Sequence, residues 1–363
     1  MNRRIENLRL KLAARKLDAF VVSQPTNRRY LSGFTGSDGF LFITRHQAVL
    51  ATDFRYIEQA ALQAPDFEIK RIAGSFAAWL PELVETLRAR RIGFESDDLT
   101  LTAYRQIAKS IRKLPPKNQP SLFSTQGLVE SLRAVKDAEE IKLIEKAAAL
   151  ADAAEEYAAA SLEPGMTERQ LAWELEKFLR ERESEGLPFD IIVASGPNAA
   201  LPHAQPSKRV INSGEPVVVD LGARLDGYTS DMTRTICLGQ PEETFRHIYI
   251  IVQRAQEAAL KEVRPGMTGG DIDGLAREVI EQAGYGDAFG HSLGHGVGID
   301  THEQPRLGPN SADILREGMV FTIEPGIYLP EWGGVRIEDM VSLEKKGART
   351  LTKAGKLNFR EGK

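Results

Sequence analysis

Pro164-Gly165-Met166-Thr167 recurs as Pro265-Gly266-Met267-Thr268, 101 residues further along the chain. In both copies a long pattern of apolar residues at helical spacing precedes the four residues, and another follows. Thr167 with Gln170, and Thr268 with Asp271, have capping-box spacing, so each motif reads as the start of a helix. Each copy then passes through an apolar or glycine-rich, strand-like segment into a long hairpin-like segment. Four matching residues can arise by chance. The same order of elements around both copies makes duplication the better reading. Two copies of one unit predict a pseudo-twofold domain, with room for a site at the seam between its halves.

The rest of the 363 residues leaves space for a second domain, since domains average about 150 residues. The first ~120 residues alternate helix and strand patterns, the order of a small α/β domain. Leu8 and Leu12 mark a helix leading to the strand Phe20–Val22. Phe40–Ile43 and Ala48–Ala51 read as paired strands, Phe54–Leu62 as a helix and Phe67–Ile72 as extended. Trp79–Leu87 reads as a helix, Ile92–Phe94 as a short apolar run, and Leu101–Ile111 as a helix. Pro115, Pro116 and Pro120 then suit a linker. The expected division is an N-terminal domain over 1–125 and a catalytic domain over 126–363. Asp137 with Glu140 opens the first helix beyond it.

Composition narrows the function. Lys and Arg total 47 against 51 Asp and Glu, for a net charge of −4. That lacks the basic excess of a nucleic-acid binder. No run of about 18 apolar residues exists, so no membrane-spanning helix is expected. The charged stretch Met1–Phe20 reads as an amphipathic helix and not a secretory signal. A lone cysteine, Cys237, excludes an intramolecular disulfide. A cytoplasmic protein is the expectation.

Acidic residues fall at telling places in the two copies. The first hairpin is Val217-Val218-Val219-Asp220-Leu221-Gly222, a turn at Asp226-Gly227, then Tyr228-Thr229-Ser230-Asp231-Met232-Thr233. Asp-Gly is a strong hairpin signal. With those residues as the turn, Asp220 and Asp231 lie diagonally across the strands, about 7–8 Å apart, close enough for metal to bridge them. The second hairpin is Met319-Val320-Phe321-Thr322-Ile323-Glu324, a loop through Trp332-Gly333-Gly334, then Val335-Arg336-Ile337-Glu338-Asp339-Met340. Glu324 and Glu338 are again roughly opposite. All four could be solvated acids on strand surfaces. Asp220 and Glu324, however, end apolar runs that look buried, and a buried carboxylate is costly unless paired or metal-bound. Four converging carboxylates repel one another. Two divalent cations would neutralise them, so the charge balance favours a dinuclear site.

Of six histidines, three fall within Phe289–Glu303: His291, His295 and His302. His291 and His295 have the spacing of a helical zinc pair, but Gly290, Gly294, Gly296 and Gly298 disfavour a helix. Such glycine density suits a strand or bend that another group approaches closely. One of these imidazoles could complete the acidic site. His203 reads as a loop residue after the strand Ile191–Ala194. His46 and His247 read as surface or helix residues.

At these residues, and at Asn27-Arg28-Arg29-Tyr30-Leu31-Ser32-Gly33-Phe34-Thr35-Gly36, the chain resembles the proline-specific metallopeptidases of the pita-bread, or creatinase-like, fold. More narrowly it resembles the Xaa-Pro aminopeptidases and Xaa-Pro dipeptidases (prolidases). The resemblance implies a small α/β creatinase-like N-terminal domain followed by a pseudo-twofold α+β pita-bread catalytic domain. It implies two divalent ions held by Asp220, Asp231, His295, Glu324 and Glu338, with Asp231 and Glu338 bridging them. It further implies that His203, His291 and His302 contact substrate and the reacting carbonyl, and that Arg336 sits near the bridging carboxylate.

The reaction so implied is attack by a metal-bridging hydroxide on the carbonyl before proline, with Glu324 accepting and passing on a proton. His302 or His203 would help to stabilise the oxyanion. Oxygen ligands with one imidazole suit manganese, with cobalt, zinc or iron as alternatives. The implied partners are short peptides with proline in second position, with no nucleic acid and no membrane, and the implied assembly is a homodimer. Chain length and the compact N-terminal domain favour an aminopeptidase. The alternatives are a dipeptidase, a methionine aminopeptidase and a non-catalytic binding protein of the same fold. A dipeptidase needs a basic residue for the carboxylate beyond proline, and Arg28, Arg29 and Arg55 are candidates.

Overall fold

The computed structural model describes residues 3–359 and divides into two compact units, Met1–Arg133 and Ala134–Lys363. The first unit runs α1 (Arg3–Ala14), β1 (Ala19–Val22), α2 (Pro25–Ser32), β2 (Phe40–Thr44), β3 (Ala48–Thr52) and α3 (Ile57–Gln63). It continues with β4 (Glu68–Arg71), α4 (Phe76–Leu87), β5 (Arg91–Glu95), α5 (Leu101–Ile111), β6 (Ser121–Thr125) and α6 (Glu130–Arg133). Its sheet has the order β4-β3-β2-β1-β5-β6. The β1–β2 and β2–β3 pairs are antiparallel, and the others are parallel. Ala19, Val21, Phe42, Val49 and Ile92 bury one face against Leu80, Leu83 and Val84 of α4 and Ile107 and Ile111 of α5.

Two elements of this unit are not evident in the sequence. Helix α2 carries Asn27, Arg28 and Arg29 in a row, without an apolar stripe. Its start is fixed by the Gln24 side chain, which accepts from the Asn27 N–H, and its end by left-handed Gly33. The proline stretch expected to be a linker instead leads through a single 3₁₀ turn (Pro116–Asn118) into β6. That strand pairs in parallel with β5 and completes the sheet.

The second unit contains the repeat. Its first copy is α7 (Ala138–Ser161), α8 (Glu168–Glu181), β7 (Ile192–Ser195), β8 (Pro216–Leu221), β9 (Arg224–Leu225), β10 (Tyr228–Thr229) and β11 (Met232–Cys237). Its second copy begins with α9 (Glu243–Glu262), α10 (Gly269–Gln282), β12 (Gly294–Gly296) and β13 (Glu303–Leu307). It ends with β14 (Val320–Ile323), β15 (Gly326–Leu329), β16 (Gly333–Arg336), β17 (Asp339–Glu344) and β18 (Gly347–Thr350). The sheets are ordered β11-β8-β7 and β13-β12-β14-β17-β18, with β9–β10 and β15–β16 as extensions of the two hairpins.

Capping boxes at Thr167–Gln170 and Thr268–Asp271 open α8 and α10. An isolated bridge joins Thr167 to Val210, and another joins Thr268 to Ile314. The duplication therefore extends beyond the four repeated residues to the strands that pair with them. The helices cover the sheets. Ala151, Ala154 and Leu171 pack with Val217 and Val219, and Val252, Ala255 and Ile272 pack with Phe321 and Ile323. No helix among the described residues is long and apolar enough to cross a membrane.

The glycines near His295 permit close backbone approach, as their density suggests. A Cβ on Gly294 would overlap the Thr322 carbonyl oxygen, and one on Gly296 the Gln304 carbonyl oxygen. Both obstacles are backbone atoms. Gly294→Ala is expected to cost about 1–3 kcal/mol by overpacking, visible as a lowered Tm. An unchanged Tm would mean that β12 and β14 can separate freely.

Candidate metal centre

The first hairpin turns at Asp226 and Gly227, whose φ values of 49° and 80° give the two left-handed positions of a type I′ turn. Pairing continues down both strands, with Tyr228 opposite Leu225 and Thr233 opposite Asp220. Asp231 lies two residues from Thr233, in the break between the two ladders, so the carboxylates take the expected diagonal. In the second hairpin the β14–β17 ladder ends at Ile323 opposite Asp339, and the β15–β16 ladder begins at Gly326 opposite Arg336. Glu324 and Glu338 occupy the gap between them. The hairpins are thus interrupted at Asp231 in the first half and at Glu324 and Glu338 in the second, while Asp220 stays paired within β8.

Asp220, Asp231, His295, Glu324 and Glu338 line one cavity of about 570 Å³, together with His203, His291, His302 and Arg336. The structure therefore brings all nine sequence-derived site residues to one place. His295 Nε2 lies 3.5 Å from Asp231 Oδ2 and 3.3 Å from Glu324 Oε1. Ligand-capable atoms of Asp231, His295 and Glu338 lie within 4.8 Å of one another.

The residues present fit divalent metal. Asp220 Oδ1 is buried with no hydrogen-bond partner, an arrangement that is costly without a cation. His295 Nδ1 lies 3.2 Å from the Gly296 carbonyl oxygen. Donation there leaves Nε2 with its lone pair towards the acids, as in a metal-ligating imidazole. Burial is the main cause that raises Asp231 and Glu338 well above ordinary carboxylates, and their acidic neighbours add to it. Burial also raises Glu324 and lowers His295. A bound cation reverses this balance by favouring the ionised ligands.

A second layer of contacts fixes these groups. Arg336 Nη2 donates to Asp220 Oδ2 at 2.5 Å, Nε to Thr233 Oγ1 at 3.0 Å and Nη1 to Tyr328 Oη at 3.0 Å. Thr233 Oγ1 donates to Glu338 Oε2 at 2.7 Å. Tyr328 Oη accepts from Arg336, so its own proton points to His291 Nε2, 2.9 Å away. His291 Nδ1 then donates to the Ser292 carbonyl oxygen at 2.8 Å. Both ring nitrogens of His291 are thereby committed to protein.

His302 differs. Its ring lies 4.1 Å from that of His295, centroid to centroid, and burial followed by repulsion from His295 lowers its pKa. It stands at the exposed edge of the cavity. His203 occupies the loop after β7. Thr233, Tyr328 and Arg306 escape the sequence reading. The first two matter through bonds to residues far along the chain, and Arg306 carries no motif of its own. Of the proposed carboxylate clamps, Arg28 donates to the carbonyls of Gly36 and Gly39, and Arg55 is paired with Asp53.

Buried acids and an imidazole around a cavity are the equipment of a metal-dependent hydrolase. Residues 142–345 match Metallopeptidase family M24, and residues 4–135 match the Creatinase/Prolidase N-terminal domain. The chain belongs to metallopeptidase family M24 and has its pita-bread architecture. It is 38% identical to the Xaa-Pro dipeptidase of Pyrococcus furiosus over 97% of this chain and 98% of that one. The solved Xaa-Pro dipeptidase from Bacillus anthracis superposes with a TM-score of 0.93 at 41% identity, covering 98% of both chains. The X-Pro aminopeptidase from Thermotoga maritima gives 0.87 at 36% identity, over 94% of this chain and 97% of that one.

The raised carboxyls have a measurable consequence. Their contribution to stability is complete below the unfolded carboxylate pKa of about 4 and is lost as pH rises through their folded values. The Tm of chelator-stripped protein is expected to fall as pH rises above about 4, relative to protein reloaded with a divalent ion. Equal pH slopes would contradict the metal assignment.

Proposed function

We propose that this metallopeptidase is an Xaa-Pro dipeptidase, cutting the bond before a C-terminal proline. The observation that carries the reading is Arg306. It lines the same cavity as the acids and makes no ion pair with the described residues. Its guanidinium has only two long contacts, from Nε and Nη2 to Ser292 Oγ at 3.4 Å. A dipeptide presents a free carboxylate directly beyond the proline ring, and a guanidinium with spare donors suits it. The dipeptidase relatives support the same reading. The aminopeptidase favoured by chain length is the second reading, supported by the similarity to the Thermotoga maritima enzyme.

Within this proposal Asp220, Asp231, His295, Glu324 and Glu338 would hold two divalent ions, with Asp231 and Glu338 contributing to both sites and manganese the expected metal. When bound, the ions would supply a nucleophile deprotonated near neutral pH and would polarise the scissile carbonyl. Glu324 takes up and passes on a proton. His302 and His203 steady the developing oxyanion. Arg336 orients Asp220 through its hydrogen bond to Oδ2, and His291 braces Tyr328. Phe189 and Ile192 give the pyrrolidine ring an apolar wall. An Xaa-Pro bond has no N–H to recognise, so shape and the terminal charges must select it.

The test uses chelator-stripped protein reloaded with manganese and offered Ala-Pro, Ala-Pro-Ala and Ala-Ala-Ala. Cleavage of Ala-Pro alone is expected. Cleavage of Ala-Pro-Ala would select the aminopeptidase reading, and no cleavage of either proline peptide would overturn both. Arg306→Met is expected to raise KM for Ala-Pro roughly 10- to 100-fold, the worth of a charged hydrogen bond, with a smaller effect on Ala-Pro amide.

Metal content separates ligands from neighbours. Asp231→Asn should lose both metal and turnover, whereas His302→Ala should keep its metal and turn over slowly. Full two-metal occupancy in Asp231→Asn, by elemental analysis, would remove Asp231 from the ligand set.

A further inference from the structure

The repeated Pro-Gly-Met-Thr motif ends one residue before Glu168 in the first copy and one before Gly269 in the second. The backbone around these two positions is matched. Glu168 N donates to Arg209 O and Arg169 N to Ser207 O, while Gly269 N donates to Asp313 O and Gly270 N to Ser311 O. Ser207 and Ser311 are therefore counterparts, 104 residues apart. The same offset carries Arg306 back to Pro202, the neighbour of His203.

The side chains then diverge. In the second copy Ser311 Oγ donates to the Arg306 carbonyl oxygen at 2.7 Å. Gly269 makes room for that carbonyl, because a Cβ there would overlap it. In the first copy Ser207 Oγ donates instead to Glu168 Oε2, at 2.6 Å. Glu168 is fully buried and makes no direct ion pair with the described residues; the Arg209 guanidinium stands one hydroxyl away, donating to Ser195 Oγ at 2.6 Å. Its Oε1 accepts from Ser195 N at 2.7 Å and Ser195 Oγ at 2.8 Å. Its Oε2 also accepts from Ser207 N at 3.0 Å, and Asn198 Nδ2 reaches both oxygens at 3.1 and 3.0 Å. One carboxylate thus binds residues 195, 198 and 207, which bracket the loop containing Pro202, His203 and Gln205. All three of those residues line the cavity.

We infer that Glu168 is a positioning residue for substrate: its carboxylate staples both ends of the His203 loop, as Gly269 and Ser311 seat Arg306 in the other copy. The duplicated helix start thereby sets two flanks of one cavity. Glu168 does not touch the metal ligands, and it acts through the loop. A carboxylate suits this role because every group around it is a donor. An amide of the same shape would turn an NH₂ towards donors.

The inference rests on the proposed role of His203, and its test has an arm independent of activity. Glu168→Gln is expected to keep its metal content and to lose roughly 10- to 100-fold in kcat/KM for Ala-Pro, mainly through KM, as a displaced contact group would. Ser207→Ala removes a single donor and should show a smaller change in the same direction. Gly269→Ala, on the Arg306 side, should also raise KM. In metal-free protein with labelled histidine, the His203 ring resonance, assigned with His203→Gln, should shift or broaden in Glu168→Gln while those of His46 and His247 stay put. An unmoved His203 resonance would overturn the inference whether or not the enzyme cuts Xaa-Pro bonds. Failure of wild-type protein on Ala-Pro with a moved resonance would overturn the functional reading alone. Equal loss of KM and metal would make Glu168 a merely structural residue.

Discussion

Burying several carboxylates together is the constraint on which the catalytic unit depends. Water is largely excluded from Asp231, Glu324 and Glu338, and each raises the cost of ionising its neighbours. Arg336 is committed to Asp220, and among the described residues Asp231 and Glu338 have no ion pair with lysine or arginine. Much of the surrounding architecture holds that unfavourable arrangement in shape until ions arrive. Both hairpins break their ladders beside the acids, at Asp231 and at Glu324 with Glu338. The Arg336–Tyr328–His291 chain and the Thr233 hydroxyl remove the freedom of the groups behind them.

Duplication is an economical way to meet that constraint. One helix–helix–hairpin unit provides two acids on adjacent strands, and a second copy provides two more facing the same cavity. The copies are free to differ elsewhere. The second contributes the histidine-bearing strand β12, and the first contributes the loop of His203. Asymmetry matters for a peptide, whose two ends carry opposite charge and whose reacting carbonyl faces one way.

Much of the site was legible in the sequence because its determinants are local. Asp226-Gly227 dictates a two-residue turn, the turn dictates register, and register places Asp220 opposite Thr233 and diagonal to Asp231. Of the glycines around His295, Gly294 and Gly296 allow close backbone approach, to the carbonyl oxygens of Thr322 and Gln304. Features that depend on distant partners left no local trace. Arg336 finds Asp220 across 116 positions, and Thr233 finds Glu338 across 105. Helix α2 has no apolar stripe, and β6 is five residues long behind three prolines. Neither periodicity nor turn chemistry could reveal them, because tertiary pairing decides both.

The segment after β18 reaches back to the acid-bearing hairpin. Thr352 Oγ1 donates to Asp339 Oδ1, and Arg234 donates to both the Asp339 carboxylate and the Ala354 carbonyl oxygen. Lys356 pairs with Asp339 Oδ2 at 2.5 Å. Asp339 adjoins Glu338, and Arg234 also donates to the Glu338 carbonyl oxygen. The backbone at Glu338 is therefore held from outside the duplicated hairpins, by a strap that runs from Thr352 to Lys356 through Asp339 and Arg234.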